Sequence, residues 1–95
     1  MKFTLTEPTQ LNGKEYTEIV CDIEKLKAKD LKEILAAFRQ LYRGEVIAVP
    51  NMDDRYLIMV AAASARMNPA DFDELWAQDY VAITTNVRNF LLEKV

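Results

Sequence analysis

Eight consecutive apolar residues, Tyr56 to Ala63, constrain this chain more than any other feature. They follow Asp53-Asp54-Arg55 and run into Ser64, with no helix breaker among them. A helix that is apolar all round has no face to give to water, so it belongs at the centre of a bundle. The run is far too short to span a bilayer, which takes about 20 residues. A chain of 95 residues has room for one domain and one core, residues 1–95 together. Such a domain buries only about 60–65% of the surface its unfolded chain exposes, yet 51% of the residues are apolar. The surplus points to a partner or to other copies of the chain. The same segment has a second reading as a partner groove. Its alanines let another helix come close, and Met52, Met59 and Met67 supply adaptable surface.

The elements expected around this helix follow from local signals. Phe3 and Leu5 alternate with Thr4 and Thr6, and Ile19 and Cys21 with Val20 and Asp22, which reads as two strands of a hairpin over residues 1–23. Asn12-Gly13 marks the turn. A two-residue loop sets Leu5 opposite Val20 and Phe3 opposite Asp22, a poor apolar face. A three-residue loop sets Leu5 opposite Ile19 and Phe3 opposite Cys21, and is the register expected. Pro8, lacking an amide donor, belongs where strand 1 faces outward or frays.

Residues 28–43 carry Leu31, Ile34, Leu35, Phe38, Leu41 and Tyr42 at helical spacing, with Gly44 as the stop. Residues 45–52 form a connector. The central helix is expected over 53–67 with Asn51 as cap. A short helix over 69–77 opens with Asn68-Pro69-Ala70-Asp71, a cap followed by a first-turn proline. A last helix over 79–93 buries Tyr80, Ile83, Val87, Phe90 and Leu91. The fold class is α+β: an N-terminal antiparallel β-hairpin packed on three to four α-helices.

Charge and chemistry exclude much. The net charge is −3, so the average surface repels nucleic acid. Residues 23–44 run the other way, with Lys25, Lys27, Lys29, Lys32, Arg39 and Arg43 against Glu24, Asp30 and Glu33. That basic helix is either a solvated face or a dock for an acidic partner. There is no histidine, so the commonest acid–base group and metal ligand is missing. The single cysteine, Cys21, cannot form an internal disulfide and reads as a buried structural thiol. The two glycines, Gly13 and Gly44, make no phosphate loop. Asp71, Asp73, Glu74 and Asp79 lack the spacing of a calcium loop and read as carboxylates at helix N-termini. A helix-turn-helix around Met67-Asn68 is disfavoured, because its second helix is acidic. No catalytic site, cofactor site or metal site is expected. Trp76 either plugs the core or anchors an interface.

In sequence order, a strand with a proline (Phe3 to Pro8) leads to Asn12-Gly13-Lys14 and a strand ending near Ile23. Lys29-Asp30-Leu31 then opens a basic amphipathic helix. Ala61-Ala62-Ala63-Ser64-Ala65 runs into Met67-Asn68-Pro69, followed by Glu74-Leu75, Asp79-Tyr80, Val87 and Phe90-Leu91. In that order and spacing the chain resembles the phage tail assembly chaperones, of the tail-assembly-protein-E or Mu-like kind, from about residue 3 to residue 92. Its connector, residues 45–52, is longer and more apolar than the family pattern.

The resemblance implies a viral or prophage protein of the host bacterial cytoplasm that works through protein–protein interaction and is not an enzyme. It implies binding of the tape measure protein, keeping that client soluble while tail tube subunits polymerise, with the tail tube protein as a further partner. Neither nucleic acid nor membrane is an expected partner. Met59, Ala63, Met67, Trp76, Phe90 and Leu91 are the expected partner-binding residues, on the central and last helices. The hairpin is a scaffold or a self-association edge, which leaves a homodimer open. The alternatives are a structural tail or head-completion subunit retained in the particle, and a small acidic regulator of host proteins.

Overall fold

Lys2–Leu11 (β1) and Lys14–Val20 (β2) pair antiparallel in the computed structural model, which describes residues 1–92. The loop between them holds two residues. Asn12 at φ 54° and Gly13 at φ 80° are both left-handed, as a tight hairpin turn of matching twist requires. The three-residue loop expected from the sequence does not form. Leu11 faces Lys14 and Thr9 faces Tyr16, whereas further out Thr4 faces Glu18 and Phe3 faces Ile19. Between these two sets β1 spends Leu5, Thr6, Glu7 and Pro8 against the single Thr17 of β2. This bulge switches the inward side of β2, so that Leu5, Leu11, Ile19 and Cys21 all reach the core. Apolar alignment thus comes from a slip within the strands. Pro8 sits in that slip, where no ladder hydrogen bond is asked of it.

A first helix, α1, spans Ala28–Leu41. Its third residue, Asp30, accepts the Lys27 N–H at 2.8 Å, satisfying a donor that the helix itself leaves free. It stops two residues earlier than expected, and Gly44 follows at φ 96°. Phe38 is fully buried, while Leu31, Ile34, Leu35 and Tyr42 pack against the core. Leu41, at the margin of the apolar stripe, is 67% exposed.

The central helix, α2, spans Asp54–Ala65 and lies against α1, β2 and the C-terminal helix α3, Ala77–Leu92. Its buried set is Tyr56, Leu57, Ile58, Val60, Ala61 and Ala62. The cap is Asp53 and not Asn51: the Asp53 carboxylate accepts the Arg55 N–H at 2.9 Å. At the other end the Met67 N–H reaches back to the Ala62 carbonyl at 2.9 Å, and Arg66 takes the left-handed conformation at φ 59°. That position favours glycine, because Cβ crowds the following carbonyl there. Arg66→Gly is expected to raise stability by about 0.5–1 kcal/mol, net of glycine's larger unfolded-state entropy. Urea unfolding with an unchanged slope checks this; a lower midpoint would show that the Arg66 side chain contributes more than its backbone costs.

Residues 69–77, expected as a short helix, form a six-residue 3-10 turn, Pro69–Glu74, that buries Phe72. Asp71 accepts the Asn68 N–H at 3.2 Å. α3 begins at Ala77, two residues before its expected start, and its expected end at Glu93 lies outside the described residues. Ile83 and Val87 are buried, and Tyr80, Phe90 and Leu91 are half-buried against the core's edge. In the first turn of α3, Asp79 is 6% exposed and points at the β1 bulge. Its two oxygens accept the Thr6 N–H at 3.1 and 3.2 Å, and one accepts the Thr6 hydroxyl at 2.7 Å. The last helix is thereby fastened to the first strand.

Candidate functional site

Where α1 and α2 diverge they leave an open apolar groove. One part, about 270 Å³, lies between Ile34 and Ala37 of α1 and Met59 and Ala63 of α2, with Met67, just past the end of α2, and Pro69 at the far lip. A second part, about 280 Å³, adjoins it through the shared Met59 and Pro69 and runs to Leu41, Tyr42 and Tyr80. The groove follows from sequence spacing. On α1, Ala37 and Leu41 are four residues apart, and on α2, Met59 and Ala63 are too, so each pair stands on one helix face. Ala37 and Ala63 are exposed and too small to close the gap, while Met59 half-fills the floor.

Three of the six expected partner residues, Met59, Ala63 and Met67, meet in this groove. Trp76, Phe90 and Leu91 do not line it. Trp76 does not plug the core either: it is 56% exposed, because the 3-10 turn ends before it and Phe72 takes the buried place. The α1 wall was missed in the sequence, where Ile34 and Leu41 belong to the apolar stripe of the helix and Ala37 was not singled out. Two exposed alanines on helices that pack together are the signal that would have found it.

At one end of the groove sits a charged knot that the sequence did not reveal. Arg55 donates to Asp53 at 2.8 and 3.0 Å and to Glu45 at 2.9 and 3.0 Å, the latter across ten residues of chain. Its guanidinium also lies 4.1 Å from the centre of the Tyr42 ring. The hydrogen bonds from Arg55 hold the Glu45 and Asp53 carboxyls below the usual carboxylate range, and those to Asp53 and Glu45 keep Arg55 charged. Burial, and then the negative charges of Asp54, Asp73 and Asp53, push the Tyr80 phenol up. The knot clips the connector to the start of α2 and gives the groove a rigid, polar end.

Among the described residues, the reactive side chains read from the sequence are dispersed. Cys21 is fully buried, and desolvation raises its thiol above the ordinary value, partly offset by a Ser64 hydrogen bond. The acidic residues read from the sequence as one cluster disperse: Asp71 holds Asn68, Asp79 holds Thr6, and Asp73 and Glu74 face solvent. Among the described residues no three Cys, Asp or Glu side chains gather as metal ligands would. No helix among them is long and apolar enough to cross a membrane.

Comparison with known proteins assigns the class: this is a phage tail assembly chaperone. The family model described as "Phage tail assembly chaperone proteins, E, or 41 or 14" matches residues 2–92, and the chain belongs to that family. Membership indicates a non-enzymatic role with protein partners in tail assembly. No curated protein matches the chain, and no solved structure does.

Proposed function

We propose that the protein binds the tape measure protein in the host bacterial cytoplasm and keeps it soluble during tail tube assembly, with the α1–α2 groove as the client site. One observation carries the reading: Met59, Ala63 and Met67 line an open apolar groove instead of closing the core. A client chain rich in helices with exposed apolar seams needs such a surface, and adaptable methionine at its floor suits a repeating seam. The exposed Trp76 and Val81 add apolar surface near the start of α3, outside the groove.

The test is co-expression with the tape measure protein encoded nearby, read as soluble client and as co-purification on a tagged chaperone. Wild type is expected to bring the client into the soluble fraction. Ala37→Glu or Ala63→Glu places a carboxylate in the groove and is expected to weaken capture at least about tenfold, since an unpaired charge resists burial. Both positions are exposed, so thermal unfolding should barely change. Full capture by both variants would remove the groove from the reading. An insoluble client with wild type would remove the chaperone role, and mass spectrometry of purified particles would then ask whether the protein is retained as a structural subunit.

A further inference from the structure

The groove's charge says more about its occupant than its apolar floor does, and the argument rests on the groove being the client site. Glu33 stands on the α1 wall and Asp73 on the opposite wall, in the 3-10 turn Pro69–Glu74. Both are exposed, and among the described residues neither has an ion-pair or side-chain hydrogen-bond partner. Arg55 supplies the groove's cation, but Asp53 and Glu45 already occupy it, so that knot is net negative. The cations of α1 do not redress this. At roughly 100° per residue, Lys32 and Arg39 project roughly 140–180° round α1 from Ile34, Ala37 and Leu41, and Lys29 lies roughly 80–140° from them, one turn before Glu33 and farther from the groove than it. A net basic helix therefore presents an acidic edge to the groove.

The groove's length and walls define the shape of what fits. From Glu33 to Tyr42 the α1 wall is about 14 Å long, which is two to three turns of a helix. Ala37 and Ala63 face each other across the groove, and small residues there allow a third helix to approach at the close spacing of packed helices. An extended strand would find no free row of backbone donors on two helices to pair with.

We infer that the groove selects an amphipathic helix whose apolar stripe is flanked on both sides by lysine or arginine. Glu33 pairs with one flank and Asp73 with the other, which fixes the helix across the groove and sorts basic-edged seams from acidic-edged ones.

Two synthetic amphipathic peptides test this, with one shared Leu/Ala stripe and flanks of lysine in one and glutamate in the other. Binding to the full chain is read by fluorescence anisotropy. The lysine-flanked peptide is expected to bind about tenfold tighter at low salt, with the gap closing at about 0.5 M salt as the rim charges are screened. The Glu33→Lys/Asp73→Lys double variant should level or reverse the preference. Equal affinities overturn the inference. So does a preference for the glutamate-flanked peptide, which would place binding on the basic flank of α1. Neither peptide binding overturns it as well. Ala63→Glu separates this inference from the reading beneath it. If that variant abolishes binding of both peptides while their affinities are equal, the groove stands and its charge selectivity falls. If the lysine-flanked peptide binds Ala63→Glu unchanged, the groove itself falls.

Discussion

Replacing Phe38 with alanine is expected to cost about 4 kcal/mol of folding stability, within the range for emptying a fully enclosed aromatic site. The ring is 0% exposed and stands 5.2 Å from Tyr42 and 5.5 Å from Tyr56, centre to centre. It is the residue through which α1 is anchored to α2. Removing it leaves a cavity that two stiff helices cannot close, and it also undercuts the Tyr42 ring on which Arg55 rests. A domain of this size has about 5–15 kcal/mol in total, so the variant should retain a fold but lie near its limit. Phe38→Leu keeps most of the volume and should lose about 1–1.5 kcal/mol. Urea unfolding of both variants decides it. A loss below about 2 kcal/mol for alanine would mean that the helix pair can collapse onto the gap.

Asp79→Ala is expected to cost about 3 kcal/mol. The wild-type carboxylate is 6% exposed and accepts both the amide and the hydroxyl of Thr6. Hydrogen bonds to a charged group contribute about 1.5–3 kcal/mol, and the Thr6 amide, in a bulge, is left without a strand partner when the acceptor goes. Asp79→Asn keeps one acceptor oxygen and should lose about half as much. Thr6→Ala removes the hydroxyl alone and should cost about 1 kcal/mol. A double-mutant cycle of Thr6→Ala with Asp79→Ala should show a coupling of about 1 kcal/mol. Additive losses would mean that Asp79 acts only on its own helix.

Helices were legible in this sequence wherever periodicity carried the information. The α1 stripe and the largely apolar α2 each state a local preference that tertiary packing does not overrule. The expected α1 overran by two residues because Tyr42 keeps the apolar spacing after the backbone has left the helix. Residues 69–77 were misread for a related reason. A cap and a first-turn proline mark where a turn begins but not how tightly it winds. In the hairpin, the requirement that Phe3, Leu5, Ile19 and Cys21 share a side was readable. Its solution was not, since a bulge at Thr6 to Pro8 leaves no mark besides the proline. The Thr6–Asp79 and Glu45–Arg55 links were invisible because no local rule joins residues that far apart. The groove was half legible: Met59 and Ala63 on α2, and Met67 just beyond it, stood out, while its α1 wall was hidden among core residues.

The fastening of α3 to β1 sets the order in which this protein can be completed as it is made. Thr6 leaves the ribosome early and Asp79 late, and at about 5–20 residues per second the 16 residues of α3 take roughly 1–3 s to add. Until then the β1 bulge has no acceptor for its amide, and α2 lacks one of the helices that cover it. The hairpin and α1 can form locally, but closure waits for contacts of high sequence separation, whose loop entropy must be met first. During that interval the nascent chain shows a bare helix seam of its own, the kind of surface proposed above for its client. A protein built this way is, for a few seconds of its own synthesis, in the condition proposed for its client.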